Sequence, residues 1–271
     1  MNEIESRPPP GVDVTVPNLA RMNDYFFGGK DNFAADREAA EQILKIAPEI
    51  RLLARENREY TARVVEFLAG EGIEQYISIG NGLPAECNTH GALRAVAPHA
   101  KLVYVEHDPV VLVHAQALIA GTPGTVVIKG HVLRPKKIIT HPEVRALLDV
   151  DRPIAVLIFG TLHFFGTEVF DAVSVFRDAI APGSYLALSH AVFDARPEAA
   201  GPMVEIYQNI FNRTNDPSRN REDLLPFFDG LRLAEPGLVD IREWRTGTTV
   251  SAAAEFVYVA GGVGLKPLAP E

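Results

Sequence analysis

The sequence predicts an α/β fold built on a doubly wound parallel sheet, and three observations carry that expectation. Short apolar runs alternate with stretches of helical period from Gln75 to Ser189. That is the rhythm of strand–helix–strand units with right-handed crossovers. The first run, Gln75-Tyr76-Ile77-Ser78-Ile79, ends in Gly80-Asn81-Gly82-Leu83-Pro84. Glycines at such a turn let the backbone take positive φ and let a ligand approach closely. The second run, Lys101 to Val105, ends in Glu106. An acid at the tip of the second strand, about 20 residues past the turn, suits a pair of ribose hydroxyls. Together these point to a nucleoside-containing ligand at the carboxyl edge of the sheet. Alone, Gly80 and Gly82 would mark only a sharp turn.

Composition narrows the classes. The chain has 271 residues, enough for one α/β domain with additions. It carries 26 basic and 35 acidic residues, a net charge of −9, which argues against a nucleic-acid partner. No apolar run reaches the roughly 18 residues of a membrane helix. The start, with Glu3, Glu5 and Pro8-Pro9-Pro10, lacks a secretory pattern. The single cysteine, Cys87, excludes an internal disulfide and fits a reducing cytoplasm. Cys87 follows the glycine turn, as a nucleophile or as a small residue in the loop. No histidine, cysteine and carboxylate cluster shows metal-ligand spacing, so no metal is expected.

In chain order, residues 1–17 are rich in proline and charge and read as a flexible lead-in. Residues 18–72 read as an N-terminal lid with helices, and 73–271 as the main domain. The segment Met22-Asn23-Asp24-Tyr25-Phe26-Phe27-Gly28-Gly29-Lys30-Asp31-Asn32-Phe33 has two readings. In one, Asp31 or Asn32 caps a helix over 33–46. In the other, the segment is a lid whose Lys30 and Asn32 face an anionic or zwitterionic ligand. Pro48 opens a second helix to about Leu68, with an apolar stripe through Leu53, Val64 and Leu68. Asn57 and Arg58 sit mid-helix, where a solvated face is the plain alternative.

Strands are expected at 75–79, 102–106, 126–129, 154–159 and 185–189. Helices between them are expected near 89–96, 109–119, 142–148 and 167–180. Pro109 suits a first helical turn, and Thr140 with Glu143 has capping-box spacing. After Ser189 the rhythm changes. Helices at 202–211 and 220–228 form an insertion at about 197–228, after the fifth strand. Strands at 231–233 and 255–259 complete seven if the last lies antiparallel beside the fifth. Gly261-Gly262-Val263-Gly264 reads as a loop.

Three motifs bear a resemblance. The first is Asp24-Tyr25-Phe26-Phe27-Gly28-Gly29-Lys30-Asp31-Asn32-Phe33-Ala34-Ala35-Asp36-Arg37. The second is Ile79-Gly80-Asn81-Gly82-Leu83-Pro84 with Val103-Tyr104-Val105-Glu106-His107-Asp108-Pro109. The third is Leu162-His163-Phe164 with Pro182-Gly183-Ser184-Tyr185-Leu186 and Leu188-Ser189-His190. In these the chain resembles the actinobacterial S-adenosyl methyltransferase family, also known as DUF574, from about residue 17 to the end. The resemblance implies a Rossmann-like class I methyltransferase fold, with a seven-stranded, mostly parallel sheet and one antiparallel strand. It implies S-adenosylmethionine as cofactor. Gly80, Asn81 and Gly82 would pass its methionine part, and Glu106 would take the ribose hydroxyls. His107 and Asp108 would lie beside the adenosine, and Gly130, His131 and Val132 would flank the adenine. Tyr25, Gly28, Lys30, Asn32 and Arg58 would close the pocket. His163 would face the sulfonium or the acceptor.

Two departures stand out. Ser78 replaces the family's usual Asp, which helps hold the cofactor's ammonium group. His131 replaces an acid that meets the adenine amino group. A neutral imidazole could accept that bond in one tautomer only. The expected function is methyl transfer to a small-molecule acceptor, with His163 and His190 as candidate general bases. The alternative is a methyltransferase-like protein whose altered cofactor site, at Ser78 and His131, binds a ligand or catalyses a non-methylating reaction. A nicotinamide-dependent reductase is disfavoured, because the third glycine of the dinucleotide turn is missing.

Overall fold

The computed structural model describes residues 13–84, 88–211, 218–247 and 258–268. Cys87 and most of the lead-in lie outside these. Three helices come first: α1 (Leu19–Phe26), α2 (Ala34–Ile46) and α3 (Ile50–Gly70). The alternation follows as β1 (Gln75–Ile79), α4 (Thr89–Val96), β2 (Lys101–Glu106), α5 (Pro109–Leu118) and β3 (Thr125–Lys129). It continues with α6 (Pro135–Ile139), α7 (Pro142–Leu147), β4 (Ala155–Phe159), α8 (Glu168–Ala179) and β5 (Tyr185–Val192). Last come α9 (Pro197–Phe211), a 3-10 helix (Glu222–Phe228), β6 (Arg232–Leu233), β7 (Val239–Asp240) and β8 (Tyr258–Leu265).

Seven strands stand in the row β3-β2-β1-β4-β5-β8-β6, with β7 pairing β8 off that row. The first five pair in parallel, and β8 alone is reversed, antiparallel to β5, β6 and β7. Strand residues alternate between the two faces. Ile77, Val103, Val156 and Leu186 meet Val169, Val173 and Phe176 of α8. Tyr76, Leu102, Leu157 and Ala187 meet Tyr60, Val64 and Leu68 of α3. Helices cover both faces, so the central strands are buried throughout, as parallel sheets require.

The third cluster sets the lid. Met22 and Phe26, one turn apart on α1, pack with Ala40 and Ile43 of α2, with Phe193 just past β5 and with Ala199 and Met203 of α9. An eight-residue helix does not persist alone. Asp36 holds it: its Oδ1 accepts from Asn18 N (2.8 Å), and its Oδ2 accepts from Arg21 Nε (2.7 Å) and Phe33 N (2.8 Å). This corrects the expected cap of α2, since Asp36 reaches back to Phe33 and neither Asp31 nor Asn32 acts there.

Three further readings change. Gly261 to Gly264 form the middle of β8, not a loop. A side chain would not fit there: a Cβ at Gly261 would lie 2.6 Å from the Tyr60 ring, and one at Gly264 would lie 2.8 Å from Phe228. Helix α9 starts at Pro197, with Pro202 inside it. His141, not Thr140, caps α7, its Nδ1 accepting from Glu143 N at 3.3 Å.

Candidate functional site

A cavity of about 420 Å³ lies at the carboxyl ends of β1, β2, β3 and β4. Its volume falls in the roughly 300–1,000 Å³ range of small-molecule sites. The chain winds outward from β1 to β3 on one side and from β4 to β5 on the other. The cavity therefore sits at the switch point, where α/β sheets bind ligands.

Glu106, at the tip of β2, is 3% exposed. Its Oε1 accepts from the backbone N of Asn81 and, at 3.1 Å, of Gly82. The glycine turn thus wraps the acid the sequence pairs with it. Burial pushes the carboxyl up to about 8, against the opposing pull of those two amides. An acid held near its protonated form can donate as well as accept, which suits a hydroxyl pair. Gly80 has φ 71°, and a Cβ there would lie 2.4 Å from Thr161 Oγ1. Thr161 in turn donates to the Gly80 carbonyl at 3.0 Å. The turn is locked between β1 and the loop after β4.

Ser78 does not line the cavity. It is 1% exposed, and its Oγ donates to Asn81 Oδ1 and lies 3.2 Å from Thr89 Oγ1. Its role in holding the ammonium group is therefore corrected: Ser78 orients Asn81. Among the described residues the buried Asn81 Nδ2 has no hydrogen-bond partner. Such an atom costs about 1–3 kcal/mol unless a ligand meets it. Asp108 caps α5 through Val110 N (2.8 Å) and Val111 N (3.1 Å), and its other oxygen accepts from Asn18 Nδ2. That second bond ties the start of α1 to the tip of β2, and Asn18 lines the cavity. The sequence reading missed Asn18, although an Asn just before Leu-Ala-Arg is a helix-cap signal.

Gly130, Val132 and His107 line the cavity as expected, and His131 does not. His131 Nδ1 accepts from Leu133 N at 3.1 Å. That bond leaves the proton of the neutral ring on Nε2, so His131 is a donor there and not the acceptor an adenine amino group needs. Its ring stands edge-on to His107 (4.7 Å) and Phe165 (5.4 Å).

The N-terminal motif divides. Arg58 stacks on Phe27 at 3.2 Å, and both line the cavity, joining α3 to the end of α1. Tyr25, Gly28, Lys30 and Asn32 do not line it. The Tyr25 hydroxyl donates to Glu41 (2.6 Å). Asn32 Nδ2 donates to Asp24 Oδ2 (2.8 Å) and to the Gly29 carbonyl (3.0 Å). Lys30 and Gly28 are exposed. These polar groups shape the loop itself, and their expected contact with the cofactor is corrected on that ground.

The two histidines also part. His163 lines the cavity, and its Nδ1 accepts from Ala191 N at 3.4 Å. Burial pulls its pKa down to about 4. His190 does not line the cavity and is 0% exposed. Its Nδ1 donates to the Ala191 carbonyl (2.6 Å), and its Nε2 accepts from Arg219 Nη1 (3.1 Å). Both nitrogens are engaged, so His190 has no lone pair for an acceptor's proton and is withdrawn as a base. Among the described residues no three metal-ligating side chains converge, and no helix is long and apolar enough to cross a membrane.

This fold and site define a class I, Rossmann-like methyltransferase. A family model described as S-adenosyl methyltransferase matches residues 5–267, and the chain belongs to that family. A candidate methyltransferase from Thermobifida fusca is 38% identical over 96% of this chain and 98% of its own, with a TM-score of 0.88. A DUF574 family protein from Streptomyces avermitilis is 33% identical over 94% and 99%, with a TM-score of 0.87. The plantazolicin methyltransferase BamL, solved with a desmethylPZN analogue and S-adenosylhomocysteine, is similar in fold only, at 8% identity and a TM-score of 0.54. A search of curated proteins finds no match. The family's cofactor is S-adenosylmethionine, and the residues present fit it. Glu106, the close approach at Gly80 and the Asn81 Nδ2, which has no partner among the described residues, form one polar cradle.

Proposed function

We propose that this enzyme transfers a methyl group from S-adenosylmethionine to a small-molecule acceptor held between the β4 and β5 tips and α9. The buried Glu106 wrapped by the glycine turn carries the reading. It would supply a hydroxyl-pair site at the tip of β2. Gly130 and Val132 would flank the adenine, and His107 would lie beside the adenosine. Asn81 Nδ2 and Arg58 would meet the methionine part as donors, with Arg58 suited to its carboxylate. Bound there, S-adenosylmethionine supplies a methyl on a cationic sulfur, lost as S-adenosylhomocysteine when an acceptor lone pair takes it. Residues 18–72 would act as the lid, with Asn18–Asp108 and Arg58–Phe27 as its two clasps. The negative net charge favours a small-molecule acceptor over nucleic acid.

Ser78 and His131 suggest an altered site in the sequence, but both serve turns of the protein's own backbone and side chains, and no observation favours the non-methylating alternative. Calorimetric titration with S-adenosylmethionine and S-adenosylhomocysteine tests the reading. Micromolar binding of both is expected. Absence of binding by either would end it.

A further inference from the structure

The lining of the cavity divides in charge between the earlier and the later part of the chain. Its charged lining residues, Asp24, Asp31, Arg58, Glu106 and Asp108, come from the lid, α3 and the β2 tip. Among the described residues, those lining it from Phe159 onward include no Asp, Glu, Lys or Arg. That later part is walled by rings. His163 and Phe164 are 4.2 Å apart between centroids, Phe164 stands edge-on to Tyr207 at 5.5 Å, and Tyr207 stacks with Phe211 at 6.1 Å. Phe193 and Met203 add apolar surface. Such walls favour flat aromatic ligands by stacking and edge contacts, and they reject a ligand carrying charge without a matching donor.

Besides Thr161, whose hydroxyl donates to the Gly80 carbonyl, two polar groups interrupt the wall. The Tyr207 hydroxyl makes no hydrogen bond among the described residues, and Tyr207 lines the cavity. Burial lifts it above the usual phenol range, so it stays protonated. His163 is the other. It is partly buried and lines the cavity. The Ala191 peptide unit fixes both nearby imidazoles: its N–H donates to His163 Nδ1, and its carbonyl accepts from His190 Nδ1. The neutral His163 ring therefore carries its proton on Nε2. A ring so protonated donates and cannot serve as a base. Among the described residues, the titratable groups beside His163 are His190, whose nitrogens are both engaged, and Arg219, a cation.

We infer that the acceptor is a flat, apolar aromatic hydroxyl compound bound as its oxyanion, with His163 Nε2–H and Tyr207 O–H as donors to that oxygen. The inference rests on the proposed methyltransferase reading and names the substrate class of the same site. The acceptor's proton goes to solvent before binding, because among the described residues lining the cavity from Phe159 onward no side chain has a free lone pair basic enough to take it. Acceptors with acidic hydroxyls, conjugated to a carbonyl or nitro group, are therefore preferred over simple alcohols.

The test uses two coloured probes, alizarin and 4-nitrophenol, whose absorption moves to the red on ionisation. Each is titrated into the protein across pH, with and without S-adenosylhomocysteine. Bound probe should ionise at lower pH than free probe, by about one unit or more, the shift expected from nearby donors and a cation. Tyr207→Phe should return a measurable part of that shift and leave S-adenosylhomocysteine affinity unchanged. His163→Asn, which keeps a donor, should retain more of the shift than His163→Leu. Failure of both probes to bind, binding of the neutral forms, or a shift unmoved by Tyr207→Phe would each overturn the proposal. A retained shift with no S-adenosylhomocysteine binding would instead sink the methyltransferase reading and leave an aromatic-anion site.

Discussion

The two ends of one cavity are made in different ways. The end around Glu106 is polar and comes from strand tips: the turn after β1, the acid closing β2 and the loop after β3. The end around Tyr207 is apolar and comes from segments scattered over residues 159–211. Parallel pairing fixes the first end directly. Val105 pairs Ile79 in register, so Glu106 must emerge beside Gly80. The second end exists only once α9 has folded back onto α2. A cofactor shared by many proteins can be met by groups fixed in the sheet. A particular acceptor needs a wall that other packing interactions position.

Glu106→Gln offers the largest effect at the polar end. The amide keeps the shape but puts an NH2 that only donates where a carboxyl oxygen accepts, so cofactor affinity should fall about 5- to 100-fold, the worth of about 1–3 kcal/mol. Calorimetry reads this directly, and probe binding at the far end should be untouched. The same variant tests a pH dependence. The folded-state pKa of about 8 lies above the ordinary 4.5. Between these values the native protein holds a proton that the unfolded chain has lost. Stability contributed by that proton is full below pH 4.5 and is lost as pH rises through 8. A melting-temperature series should show this decline, flattened in Glu106→Gln. An unchanged slope would place the titrating group elsewhere.

How much of this was legible follows the same division. Gly80, Gly82 and Glu106 announce themselves through local spacing, and the strand order follows from alternation. Ser78 and His131 are visible as departures, but their hydrogen bonds to Asn81 and Leu133 are not, because those depend on how the turns close. Helix α1 escapes the pattern: Leu19, Met22 and Phe26 stand at i, i+3 and i+7, but eight residues are too short a window for that period to stand out. The glycines of β8 look like loop residues because the large groups that exclude a Cβ, Tyr60 and Phe228, are remote in sequence. Tyr207 carries no local signal.

Gly80→Ala sharpens the role of the turn. Its positive φ and the 2.4 Å approach to Thr161 both oppose a methyl group. A loss of about 1–3 kcal/mol in stability is expected from backbone strain of this kind, read by denaturant unfolding with the cofactor affinity measured beside it. A variant as stable as the parent would show that the β1–β4 gap is looser than described. Phe27→Ala comes next. It removes the face on which Arg58 stacks, an interaction worth about 0.5–2 kcal/mol. S-adenosylmethionine should bind about 2- to 30-fold more weakly, mainly through faster release if the stack holds the lid shut.

Lys30→Ala should do least, and it separates two meanings of a recognisable motif. Lys30 sits in the stretch from Asp24 to Arg37 that carries the strongest resemblance, yet it is exposed and does not line the cavity. Its neighbours shape the loop: Asp24 Oδ2 accepts from Asp31 N at 2.9 Å, and Arg37 Nη1 donates to the Asn32 carbonyl at 3.0 Å. A surface lysine outside such a network changes energies by no more than about 0.5 kcal/mol. Calorimetry should therefore find cofactor affinity within about twofold of the parent. A loss of tenfold or more would mean the loop swings inward on binding and Lys30 reaches the cofactor. The polar end of the cavity would then extend beyond the strand tips to the lid.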